Sequence, residues 1–184
     1  IVTTPYENLH ILPSSLDLAA AELEISDKKG RESILKNALL PIKQYYDYII
    51  IDCPPSLGLI TTNALTASDT FLVPIQCEYY ALEGLTQLMS TVRRIKRQYN
   101  NTIDIEGVLL TMYDGRLNLT QQVVEEVKKF FPRKVFKTVI PRGVRLSEAP
   151  SFGMPVIYYD KNCKGSITYT ELAKEIIAKE RSYE

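Results

Sequence analysis

Between Tyr46 and Gly58 the chain reads Tyr46-Asp47-Tyr48-Ile49-Ile50-Ile51-Asp52-Cys53-Pro54-Pro55-Ser56-Leu57-Gly58. From Tyr48 to Asp52 the run is aromatic, then β-branched, then acidic, with no alternation of apolar and polar positions. That is the pattern of a strand covered on both faces. The expectation is a central parallel strand that closes on a carboxylate and leaves the sheet in an extended turn at two prolines. Such an end lies at the carboxyl edge of the sheet, where open α/β folds place their ligands.

The remaining pattern alternates in kind. Residues 8–12 form a short apolar stretch stopped by Pro13, and Ser15 is placed to cap a helix over 16–24. Ser26 and Asp27 can open a second helix, in which Ile34, Leu35, Ala38, Leu39 and Ile42 keep helical spacing and Pro41 imposes a bend or an end. Helices are expected over 59–67, 81–99, 118–131 and 167–181, and strands over 69–75, 105–112, 135–140 and 155–159. Strands separated by helices of this length imply right-handed crossovers. The expected fold is α/β, a doubly wound and mostly parallel sheet with helices on both faces, forming a single domain over residues 1–184.

Composition narrows the class. Of 184 residues 45% are hydrophobic and 24% charged, which excludes a disordered chain. Lys plus Arg and Asp plus Glu both number 22, so a polyanion must be met by a local patch and not by bulk charge. Cys53, Cys77 and Cys163 are far apart and form no CxxC, which supports neither a zinc nor an iron-sulfur site and suits thiols in a reducing cytoplasm. No apolar run is long enough to span a bilayer. The chain opens on Ile1 and not on Met, so it is expected to start inside a longer reading frame.

Asp52 is the lead functional residue. A carboxylate after an apolar strand is what a nucleotide-hydrolysing fold uses to hold Mg²⁺ or its water, because a hard cation prefers oxygen ligands. A strand-end aspartate that merely caps the following turn has the same local sequence. The second candidate is electrostatic: Lys128, Lys129, Arg133, Lys134, Lys137, Arg142 and Arg145 follow one another with no acidic residue among positions 128–145. Such segregation in a neutral chain suggests a footprint for nonspecific DNA, which Arg93, Arg94, Lys96 and Arg97 could widen, or else a set of solvated faces. His10 has no partner at ligand spacing and reads as structural, and Ser56 has no nearby base.

The Tyr46 to Gly58 stretch resembles the second acidic motif of the ParA/Soj chromosome-partitioning ATPases, within the deviant Walker-A group that includes MinD. So do Glu106-Gly107-Val108-Leu109-Leu110-Thr111-Met112-Tyr113-Asp114 and, more specifically, Val139-Ile140-Pro141-Arg142-Gly143-Val144-Arg145-Leu146-Ser147-Glu148-Ala149-Pro150-Ser151-Phe152-Gly153. The resemblance runs over essentially the whole chain. It implies that Asp52 acts on Mg²⁺ through water and that Pro54, Pro55 and the residues to Gly58 form the switch that senses the γ-phosphate. It places the adenine of ATP at Thr111, Met112, Pro141, Arg142 and Gly143. Gly143 stands where the family commonly has asparagine, which would leave backbone recognition there, and Met112 could equally fill the core. Arg116 and Arg145 match arginines that hold DNA without sequence preference, with Lys128, Lys129 and Lys134 beside them.

No Gly-Lys-Ser/Thr loop occurs in the sequence, so nothing here cradles the β- and γ-phosphates. By resemblance that loop belongs to an opening βαβ unit upstream of Ile1, without which interior strand edges would be left unpaired unless something such as a second copy covers them. The implied protein is a cytoplasmic, nucleoid-associated ATPase that dimerises on ATP, binds nonspecific double-stranded DNA and is stimulated by a ParB-type partner. The chain as given is then not expected to hydrolyse ATP alone. The alternatives are a non-hydrolysing DNA- or partner-binding module and a MinD-like division regulator. The mixed charge of residues 173–184 speaks against a membrane anchor in the latter.

Overall fold

A computed structural model describes residues 1–78 and 83–181, which fall into two compact units, Ile1–Ser68 with Arg94–Asn101 and Asp69–Arg93 with Thr102–Glu184. In the first, Val2–Thr3 (β1) and His10–Ile11 (β2) make a small antiparallel ladder. Asp17–Glu24 (α1) follows. The Oγ of Ser15, the serine expected to cap this helix, accepts the N–H of Asp17 at 3.3 Å, although the helix itself starts one residue later than expected, with Leu16 in the N-cap position. The second helix does not open at Ser26. Gly30 adopts a left-handed φ of 71°, which stops any winding before it, and the chain then makes a 3-10 turn over Arg31–Ser33 and the short helix Ile34–Leu39 (α2).

The unit is centred on Leu59–Ala67 (α3), in which every residue from Thr61 to Thr66 is buried. Asn63 ties it to its neighbours. Its Oδ1 accepts the N–H of Leu35 at 3.1 Å, and its Nδ2 donates to the carbonyls of Arg31 at 2.7 Å and Leu59 at 3.0 Å. Asn100 closes the other end, donating to the carbonyls of Leu65 at 3.0 Å and Ser68 at 2.7 Å. Each amide thus satisfies backbone groups that would otherwise be desolvated without a partner.

The expected strand at Tyr46–Asp52 is corrected here. Tyr46 is extended at φ −131° and ψ 134°, but among the described residues the segment joins no sheet, and Ile50 is 91% exposed. The apolar run reads as buried on two faces. A strand exists, however, only where neighbouring backbones take its N–H and C=O groups, and among the described residues no strand is paired with this segment.

The second unit holds the sheet. Thr70–Gln76 (β3), Asp104–Tyr113 (β4) and Val135–Pro141 (β5) lie parallel in the order β3-β4-β5. They alternate with Glu83–Gln98 (α4), whose last turns belong to the first unit, and Asn118–Phe130 (α5). Residues 81 and 82 of the expected long helix lie outside the described residues. Val144–Glu148 (α6), Val156–Tyr159 (α7) and Lys164–Glu180 (α8) complete the chain.

Period-2 alternation along the central strand sorts its neighbours. Val108 and Leu110 face Val73, Ile75, Leu85, Val123 and Val127, whereas Leu109 faces Phe136, Ile140 and Leu172. Helices therefore cover both faces, and each fully buried aliphatic side chain contributes about 1.5–3 kcal/mol of burial. Gly107 packs tightly against the start of β5. A Cβ there would stand 2.5 Å from Phe136 Cε2 and 3.0 Å from the Lys134 carbonyl.

The expected strand at Pro155–Tyr159 is a helical turn instead. The N–H groups of Tyr158 and Tyr159 donate to Pro155 O at 2.9 and 3.0 Å. The ladder between β4 and β5 is itself irregular: Val108 pairs with Val135 and Leu110 with Val139, two steps against four. The donors freed at that bulge are taken by Glu175 of α8, whose carboxylate accepts Lys137 N at 2.8 Å, Thr138 N at 3.0 Å and Thr138 Oγ1 at 2.8 Å.

Candidate nucleotide and DNA site

At the carboxyl edge of the sheet the ends of β4 and β5 lie side by side. Thr111 O accepts Cys77 N at 3.0 Å, Tyr113 stands opposite Pro141, and Arg142 N donates to Tyr113 O at 3.4 Å. Met112 has a φ of 52°, a left-handed conformation costing a non-glycine residue about 1 kcal/mol or more, and it is exposed. It does not fill the core. Gly143 is extended at φ −153°, and a Cβ there would meet only Leu146 at 3.8 Å, so neither its backbone nor its surroundings demand glycine.

Beyond β4 the chain turns at Asp114-Gly115-Arg116. Arg116 grips Asp114 with both arms of its guanidinium, Nε to Oδ1 at 2.9 Å and Nη2 to Oδ2 at 2.6 Å, while its backbone N–H reaches Oδ1 at 3.1 Å. The guanidinium hydrogen bonds first, and the backbone one after them, hold the Asp114 carboxyl down to about 2, so it is ionised at any physiological pH. Tyr113, Asp114, Gly115, Arg116, Pro141, Arg142 and Lys164 line a pocket of about 510 Å³. The structure thus brings Arg116, Pro141 and Arg142 together, and adds Tyr113, Asp114 and Lys164, which the sequence reading missed. The Asp-Gly pair was a legible turn signal. Lys164, the first residue of α8, gave none.

Asp52, Pro54 and Pro55 belong to the first unit and are all exposed. The segment that follows them is pinned to α3. Thr61 Oγ1 donates to Ser56 O at 2.6 Å, Thr62 Oγ1 to Gly58 O at 2.9 Å, and the Glu22 carboxylate accepts the N–H of Leu59. Among the described residues no cluster of three or more His, Cys, Asp or Glu could hold a metal. Asp52, a lone exposed carboxylate, suits a cation that keeps most of its water, as Mg²⁺ does.

The basic residues are less naked than their sequence suggests. Lys129 pairs with Glu126, Lys134 with Asp104 at 3.1 Å, Arg142 with Glu78 at 3.2 Å, and Arg145 with Glu148 at 2.8 Å and Asp160 at 3.5 Å. Lys128 and Lys129 also sit in the last turn of α5, where a helix dipole favours cations. His10, read as structural, meets Tyr46 OH through Nδ1 at 2.9 Å.

A parallel sheet with helices on both faces is the architecture of P-loop nucleoside triphosphatases. A family model described as an AAA domain matches residues 1–105. The chain is 60% identical over 97% of its length to the sporulation initiation inhibitor protein Soj of Bacillus subtilis (strain 168), and 49% identical over 97% to the chromosome-partitioning ATPase Soj of Treponema pallidum (strain Nichols). It covers 70% of each. Among solved structures, a cobyrinic acid a,c-diamide synthase from Mycobacterium smegmatis with bound ADP and magnesium superposes with a TM-score of 0.80 at 34% identity, over 94% of this chain and 63% of that one. The chain belongs to the ParA/Soj family of chromosome-partitioning ATPases. No helix among the described residues is long and apolar enough to cross a membrane.

Proposed function

We propose that this chain is the body of a partitioning ATPase that binds ATP with Mg²⁺, dimerises in the ATP-bound state, holds double-stranded DNA without sequence preference, and hydrolyses ATP when a ParB-type partner engages it. The observation that carries this is 60% identity to Soj over 97% of the chain. It is supported by a pocket at the sheet's carboxyl edge, where the family's adenine site is expected. Thr111, Met112, Pro141, Arg142 and Gly143 bind the base, with Gly143 contributing backbone alone. Asp52 orients the hydration shell of Mg²⁺, which neutralises phosphate charge when bound, and Pro54 and Pro55 lead the γ-phosphate switch. Arg116 and Arg145, with Lys128, Lys129 and Lys134, contact phosphates of the duplex. The protein works in the cytoplasm at the nucleoid.

Hydrolysis is in-line attack of water on the γ-phosphate, accelerated by positioning and charge neutralisation. This chain holds no Gly-Lys-Ser/Thr sequence, and hydrolysis by the 184 residues alone is negligible on our reading. Calorimetric titration with Mg²⁺-ATP beside a turnover assay tests it. Turnover by the 184-residue chain that Asp52→Ala abolishes would overturn that statement. The absence of the phosphate loop favours a second reading, a module that binds DNA or a partner and hydrolyses nothing. Full-length protein that turns over ATP faster with a ParB-type partner excludes it.

A further inference from the structure

Both arginines assigned to DNA are already gripped by carboxylates of this chain. Arg116 meets Asp114 through two parallel hydrogen bonds, at 2.9 and 2.6 Å. Arg145 donates to Glu148 at 2.8 Å and lies 3.5 Å from Asp160, and Glu148 is held in turn by the Tyr159 hydroxyl at 3.2 Å. A carboxylate and a phosphate offer the guanidinium fork the same pair of acceptor oxygens. A carboxylate fixed in that geometry therefore competes with a duplex for the arginine.

We propose that Asp114 and Glu148 are built-in counter-ligands that set the strength of DNA binding, so that a duplex docks by exchanging carboxylate for phosphate at Arg116 and Arg145. The proposal rests on the reading of these arginines as DNA contacts. The Arg116 side chain is 89% exposed and that of Arg145 55%, so phosphate can reach both without disturbing the core. Exposed ion pairs of this kind are weakly held, which makes the exchange reversible. Lys128, Arg133 and Lys137 have no ion pair among the described residues and provide the attraction that needs no exchange.

The test is fluorescence anisotropy of a random-sequence duplex with the full-length protein and Mg²⁺-ATP, titrated between about 50 and 200 mM salt. Asp114→Asn and Glu148→Gln should each tighten binding at low salt. Each should leave the slope of the salt dependence close to that of wild type, because the arginine meets a phosphate in the complex of both proteins. The gain from Asp114→Asn should vanish in an Arg116→Ala background, and Glu171→Gln, on the exposed side of α8, should give no such arginine-dependent gain. Binding by both single variants equal to or weaker than wild type, or a gain that survives Arg116→Ala, overturns the proposal. If Asp114→Asn disturbs its turn and lowers the melting temperature, Glu148→Gln decides alone through Arg145. Unchanged binding by Arg116→Ala and Arg145→Ala would instead sink the reading of the arginines as DNA contacts, and the counter-ligands with it.

Discussion

The carboxylate of Glu22 caps α3 by accepting the N–H of Leu59, across 37 residues of sequence. It lies so close to Gly58 that a Cβ on that residue would stand 2.2 Å from Glu22 Oε1. Gly58 is not left-handed, so glycine is needed there for room and not for its backbone. Gly58→Ala should push the carboxylate off the helix terminus and cost about 1 kcal/mol, the usual worth of an N-terminal cap. Glu22→Ala should cost a similar amount. The two together should cost little more than either alone, because the second change removes an interaction already lost. Additive losses in a urea-melt double-mutant cycle would show that the cap and the glycine are unrelated.

Gly107 is the tighter constraint, because its neighbours are a buried ring and a backbone carbonyl and neither can swing away. Gly107→Ala should destabilise by about 2 kcal/mol, or roughly 6 °C in melting temperature for a chain of this size. Adding Phe136→Leu should recover part of the loss. A Gly107→Ala protein that melts like wild type would mean the strands separate more easily than their packing implies.

Glu175 gives the fold a pH dependence. Partial burial raises its carboxyl, but the N–H groups of Lys137 and Thr138, the Thr138 hydroxyl and the charge of Lys179 together hold it below its usual value of 4.5. A folded-state pKa below the unfolded one stabilises the protein above the unfolded value, and that contribution fades as pH falls through the folded one. Glu175→Gln should therefore be less stable than wild type at about pH 7, by about 1 kcal/mol given the partial exposure of the site, and the gap should close below about pH 4. A gap that does not change with pH would assign the effect to shape alone.

Gly143→Asn tests the base site. The position is extended and open, so stability should change by less than about 0.5 kcal/mol. Nucleotide affinity should rise in full-length protein if the base sits at the ends of β4 and β5. Unchanged affinity would move the base elsewhere.

The sequence made the sheet legible wherever pairing and burial coincide. Residues 70–76, 104–113 and 135–141 are apolar runs bounded by breakers, and they became strands within a residue or two of the expected limits. Tyr46–Asp52 has as good a run and joins no sheet among the described residues, because pairing depends on a neighbour that no local pattern reveals. Pro155–Tyr159 failed differently, since five residues cannot distinguish a strand from one turn of helix. At the candidate site, Pro141 ends its strand as expected and lines the pocket, whereas Thr111 and Met112 lie near the end of theirs and do not line it. Glu78 on Arg142 and Glu22 on Leu59 were invisible because the fold brings them from 64 and 37 residues away. The basic stretch from Lys128 to Arg145 looked uncompensated partly for the same reason, since Asp104 comes to Lys134 from 30 residues away, whereas Glu126 and Glu148 stand only three residues from Lys129 and Arg145 and flank the stretch in the sequence.

The unpaired run Ile49-Ile50-Ile51 also has a colloidal consequence. Three β-branched residues outside any sheet, with no proline or lysine among them, are the kind of segment a growing cross-β ribbon recruits. On warming, association of the 184-residue chain is expected to start at this stretch and not in the packed layer of β3, β4 and β5. Light scattering on warming should rise before the near-ultraviolet dichroism of that layer is lost, and Ile50→Lys, at a side chain already 91% exposed, should delay the scattering while leaving the dichroism where it was.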